Sequence, residues 1–90
     1  MFEWDERKRA INLAKHGFDS RDVPAMWEGP LMFLPGRAVG EEERLVATGL
    51  IQGRIVAAIH VVRGGAIRLI SVRRARGYEK ETFLHYARDR

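Results

Sequence analysis

Three β-rich runs joined by two-residue turns most constrain what this chain can fold into. Arg44 to Ile51, Arg54 to Val62 and Ala66 to Val72 are separated by little more than Gln52-Gly53 and Gly64-Gly65. Such short glycine-bearing connections close antiparallel hairpins, so a three-stranded meander is expected. Centring the turns pairs Ile51 with Arg54 and Arg63 with Ala66, and paired residues share a face. One face then collects Val46, Leu50, Ile55, Ala57, Ile59, Val61, Ile70 and Val72, and is expected to pack on the helices of the first half. The other collects Arg54, Val56, Ala58, His60, Leu69, Ser71 and Arg73, small at its centre and polar around it, as expected of a shallow site. A three-residue second turn would instead swap the faces of the third strand and bring Arg68 beside His60.

The remaining segments supply helices. After Phe2 and Trp4, Asp5 is an N-cap, and Ala10, Ile11, Leu13, Ala14 and Phe18 make an apolar stripe. Lys15-His16-Gly17 is a helix stop, so His16 reads as a terminus residue. A second helix starts at Asp19, with Phe18 and Val23 as a hydrophobic staple and Val23, Met26 and Trp27 facing the core; Pro24 requires it to be short, kinked or displaced. Leu31 to Leu34 reads as a short strand, followed by a polar loop through Gly40 and Glu41 to Glu43. Tyr78 to Arg88 reads as a closing helix with Tyr78, Phe83, Tyr86 and Ala87 inward. The expected architecture is α+β: an antiparallel meander packed against two N-terminal helices, with a C-terminal helix.

At 90 residues the chain should form one domain, residues 1–90, with a modest core. The charge is unevenly placed. Residues 1–53 carry seven basic and nine acidic side chains, net −2, and residues 54–90 carry nine and three, net +6. Clustered cations attract phosphates, so the second half should build an anion-facing surface. Cysteine is absent from the sequence, which excludes disulfides and thiolate chemistry and suits a reducing cytoplasm. No secretory leader or membrane span is expected from the acidic start and short apolar runs.

Phe2-Glu3-Trp4-Asp5, Lys15-His16-Gly17, the Gly40 to Arg44 run and Ile67-Arg68-Leu69-Ile70-Ser71-Val72-Arg73-Arg74-Ala75, in that order, resemble the BrnT toxins of type II toxin-antitoxin systems, and the resemblance implies that the anion is RNA and that the chain cuts it. RNA cleavage without a metal needs a base for the ribose 2′-OH, an acid for the leaving 5′ oxygen, and cations around the developing phosphorane. His60 is the acid/base candidate, because histidine titrates near neutrality and the register places it on the polar face. Arg73 shares that face and can grip phosphate through a planar fork. Arg68 is a further catalytic candidate, and Glu79 can orient an arginine or act as a base. Arg54, Ser71, Arg74, Arg76 and Lys80 are candidates for holding the RNA backbone. No spacing of ligand residues suggests a metal site and no glycine fingerprint suggests a nucleotide cofactor, so none is expected. The competing reading is a non-catalytic module that uses the same basic face to bind RNA or a protein partner.

The resemblance spans Phe2 to about Tyr86. It implies a RelE-like fold, ribonuclease activity on cellular RNA, and neutralisation by a BrnA-type antitoxin in a higher-order complex. Arg76-Gly77 stands where the family often places a Ser or Thr to cap the last helix, and Phe83 stands where it often has an aromatic hydroxyl.

Overall fold

The structure, a computed structural model, describes residues 1–88. A five-stranded sheet runs in the order β1-β5-β4-β3-β2, with β1 Phe2–Trp4, β2 Met32–Pro35, β3 Leu45–Ile51, β4 Arg54–Arg63 and β5 Ala66–Arg74. β1 lies parallel to β5 and every other pair is antiparallel. The helices are α1 Glu6–His16, a 3₁₀ helix Ser20–Glu28, and α2 Gly77–Arg88. No described helix is long and apolar enough to cross a membrane.

Both meander turns form as the sequence requires. Ile51 pairs with Arg54 and Arg63 with Ala66, and all four turn residues Gln52, Gly53, Gly64 and Gly65 have positive φ, as tight primed turns demand. The expected faces fail further along. Opposite the Ile59/His60 junction β5 is bulged, so that His60 pairs with Leu69 but Ile59 pairs with Ser71, leaving Ile70 as an extra residue. One extra residue reverses every later side chain. Ser71 and Arg73 therefore leave the face of His60 and join Ile59 and Ala57, whereas Val72 joins Ala58.

The face with small residues at its centre is the core, not a shallow site. Ala47, Val56 and Ala58 there are fully buried beneath Phe18, Val23 and Met26. At Gly49 an added Cβ would come within 3.2 Å of both Met26 and Leu31. Small sheet residues let the bulky side chains of the 3₁₀ helix approach closely, and their combined volume fills the space. Pro24, which withholds one N–H, sits inside that helix. His60 lies in this core at 1% exposure, ringed by Trp27 at 5.6 Å and Phe33 at 5.8 Å.

The two N-terminal helices do not share a face. The 3₁₀ helix covers the core face, while α1 lies across the opposite one, where Ser71 Oγ donates to Asn12 Oδ1 at 3.4 Å. Asp5 caps α1 by accepting from the Arg7 and Lys8 amides, and Gly17 ends it at φ 77°. Its inward side is Asn12 with the half-buried Arg9 and His16, and the expected inner stripe of Ala10, Ile11, Leu13 and Ala14 is exposed. α2 packs against β3 on the same side as α1, but through Glu79 and Phe83; Tyr78 points to solvent.

His60 carries a consequence for stability. Its Nδ1 bonds the Ala58 carbonyl oxygen at 3.1 Å, and burial lowers its pKa from the ordinary 6.5 despite that bond. The unfolded chain therefore binds a proton more readily than the folded one. The resulting stability is present above about pH 6.5 and is lost as pH falls through that value toward the lowered folded pKa. Melting temperature is expected to drop between pH 7 and pH 5, and His60→Phe, which keeps a ring and removes the titrating group, should flatten that part of the profile.

Candidate nucleic-acid cleavage site

On the face opposite the core, α1, α2 and the loop after β2 leave a groove of about 550 Å³. The sheet forms its floor through Val46, Ile59, Ile70 and Ser71. Lys15 and His16 enter from the end of α1, Arg37 from the loop, Arg44 from the start of β3, Arg73 from the end of β5, and Arg76 and Glu79 from the entry to α2. Gly36 donates its N–H to the Arg44 carbonyl at 2.8 Å, which ties the loop to β3 and holds Arg37 and Arg44 on one wall. Glu79 is the only carboxylate among these lining residues.

That carboxylate accepts three hydrogen bonds. Arg73 Nη1 donates to Glu79 Oε1 at 2.7 Å and Nη2 to Oε2 at 3.0 Å, and the Arg76 backbone N–H donates to Oε1 at 2.8 Å. The last bond is the carboxylate half of a capping box, in which Glu79 at the third position of α2 accepts from the N–H of the residue that precedes the helix. The hydrogen bonds from Arg73 hold the Glu79 carboxyl below the usual range against the opposing effect of burial. Glu79 is thus an ionised anchor and a poor base. Arg73 also donates through Nη1 to the Arg74 carbonyl at 3.3 Å. A guanidinium has five N–H donors, so its Nε–H and one Nη2–H remain. Those two lie side by side and form a second fork, suited to two phosphate oxygens.

The expected site residues divide into four groups. Ser71, Arg73, Arg76 and Glu79 come together in the groove. Arg54, Arg74 and Lys80 line a separate depression of about 450 Å³ with Gly53, Ile55 and Ala75; Arg73 and Arg74 reach different depressions because consecutive strand residues point to opposite faces. Arg68 belongs to neither, and pairs with Glu3 at 3.7 Å. His60 is in the core. The groove's own imidazole is His16, together with Lys15, Arg37 and Arg44, all drawn from outside the basic second half. The Lys-His-Gly signal marked the end of α1 in the sequence but not what that end would face.

Among the described residues, no cluster of three or more His, Asp or Glu side chains could hold a metal ion. The lining instead gathers cations over an apolar floor, an arrangement that attracts and desolvates a phosphodiester.

A family model described as "Ribonuclease toxin, BrnT, of type II toxin-antitoxin system" matches residues 4–79. The chain belongs to the BrnT family. Among solved structures it is similar to the Brucella abortus ribonuclease toxin BrnT, known from a 1.1 Å crystal structure, with 36% sequence identity. That match has a TM-score of 0.68 and covers 84% of this chain and 97% of the other. No curated protein matches the chain. The mixed α+β arrangement of a five-stranded sheet and three helices agrees with the BrnT structure, and membership makes this a ribonuclease toxin of a type II toxin-antitoxin system.

Proposed function

We propose that this BrnT protein is a metal-independent endoribonuclease whose active site is the cationic groove between α1 and α2, and that a BrnA-type antitoxin silences it. The observation that carries the reading is the convergence of His16, Ser71 and the unengaged fork of Arg73 in one groove whose single lining carboxylate is already committed. RNA brings its own nucleophile, the 2′-OH, so the protein has to move protons and offset charge. In this reading the Arg73 side fork holds two oxygens of the scissile phosphate and Glu79 positions that arginine. His16, an imidazole at the groove wall, moves the proton in place of the buried His60. Ser71 turns its one hydroxyl proton from Asn12 Oδ1 to a phosphate oxygen. Lys15, Arg37, Arg44 and Arg76 hold the backbone nearby, and Arg54, Arg74 and Lys80 hold a more distant part of the strand. A central sheet with helices leaving one open cationic face is compatible with the RelE-like architecture that the resemblance implies.

Incubation of the purified protein with RNA in EDTA tests the chemistry. Cleavage is expected to persist and to leave 5′ fragments ending in 2′,3′-cyclic or 3′ phosphate. Dependence on Mg²⁺ with 5′-phosphate products would overturn the 2′-OH mechanism. A shift in RNA mobility with no change in length would favour the non-catalytic binding module.

A further inference from the structure

The inverted orientation of α1 requires an explanation. Its apolar residues do not pack on the sheet: Ile11 is 54% and Leu13 41% exposed, and Ala10 and Ala14 are exposed beside them. Residues 10, 11 and 14 are neighbours at helical spacing, so they form one outward stripe with Leu13 at its edge. Arg7 lies on the stripe. Lys8 and Lys15, a heptad apart, border it on one side. The side chains of all three cations are exposed and make no ion pair among the described residues. Glu6 and Arg9, by contrast, are paired at 2.7 Å.

The chemistry of the stripe narrows its occupant. RNA gains nothing from Ile11 or Leu13, because phosphates need donors and not methyl groups. A second copy of this chain, applied face to face, would set Arg7, Lys8 and Lys15 against their own kind. An amphipathic helix with an apolar stripe and carboxylates along its border satisfies both the exposed apolar area and the unpaired cations. The place is also suited to inhibition, since α1 runs directly into the groove through Lys15 and His16.

We propose that the outward face of α1, formed by Ala10, Ile11, Ala14 and Leu13 and bordered by Arg7, Lys8 and Lys15, is the docking surface for an acidic amphipathic helix of the antitoxin. This rests on the toxin reading and adds where and by what chemistry the partner is held. Seated along α1 and extending past its C-terminal end, that helix closes the mouth of the groove without contacting Arg73.

The test uses the full chain with the protein encoded by the adjacent reading frame, purified separately and titrated calorimetrically. Ile11→Glu and Arg7→Glu are each expected to weaken binding at least about tenfold, and Ile11→Ser by less. All three should keep the parent's circular dichroism and, when free, its rate of RNA cleavage. Undiminished binding by both glutamate variants overturns the docking surface and leaves the nuclease reading standing. Failure of the adjacent protein to bind the parent overturns it as well. If binding is lost in the variants but the free parent does not cut RNA, the docking surface stands and the nuclease reading falls. Self-association of the free chain that Ile11→Glu abolishes would reassign the stripe to a second copy.

Discussion

Arg73→Ala is expected to lower RNA cleavage by about a hundredfold or more and to lower the melting temperature with it. The first effect follows from losing the side fork that we propose holds the phosphate, on the scale of about 3 to 4 kcal/mol for one oxyanion donor. The second follows from the other fork. Arg73 and Glu79 are 16% and 8% exposed at their side chains, and removing the arginine leaves a mostly buried carboxylate facing only the Arg76 amide. Loss of charge-assisted bonds of this kind costs about 1.5 to 3 kcal/mol. Arg73→Lys separates the two effects, because a lysine restores a cation beside Glu79 but has no paired donors for the phosphate. It should melt closer to the parent and still cut poorly. Cleavage by Arg73→Lys at the parent's rate would remove the fork from the mechanism, and Arg73→Ala melting with the parent would remove the anchor.

Phe83→Ala is expected to be the most destabilising single change in α2, costing about 3 to 5 kcal/mol. Phe83 is 1% exposed and is the bulkiest fully buried side chain described. A domain of this size has only about 5 to 15 kcal/mol in total, so the variant should be close to unfolded at 37 °C. Tyr78, 67% exposed, was expected from the sequence to share the inner stripe, and Tyr78→Ala is the control that should change stability by less than about 0.5 kcal/mol. Urea denaturation of both variants gives the comparison. The functional consequence passes through Glu79, one turn before Phe83: as α2 loosens, the anchor of Arg73 loosens with it. Equal midpoints for the two variants would show that Phe83 does not hold α2.

The meander was readable from the sequence because its information is local. Two glycine-bearing turns set the first pairs of each hairpin, and those pairs are the ones observed. The bulge at Ile70 was not readable, since Leu69-Ile70-Ser71 has no glycine or proline to mark an extra residue. That one residue moved Ser71 and Arg73 away from His60. The small residues Ala47, Gly49 and Ala58 were ambiguous for a different reason: a sheet face of small side chains suits a ligand or a closely packed helix equally, and only Met26 and Trp27 decide between them. In the site, Arg73, Arg76 and Glu79 were legible as part of a cationic run around α2. His16, Arg37 and Arg44 come from three separate segments that only the tertiary structure brings together. α1 is the clearest conflict between local pattern and global fold. Its apolar stripe suits burial, but the structure turns it outward and gives the inward side to Arg9, Asn12 and His16. Such conflicts are expected where function and not stability determines the residues.

The pairing of β1 with β5 also bears on synthesis. Phe2 and Trp4 meet Ile67 and Leu69, so β1 is made without a sheet partner and has none until β5 has followed it out of the ribosome. The groove is completed later still, because its arginine anchor Glu79 lies beyond β5 in the chain. Long-range closure of this kind is slow relative to local hairpin formation. A growing chain therefore has no assembled groove before Glu79 has been made, and the ribosome making a ribonuclease toxin does not meet the complete groove until then.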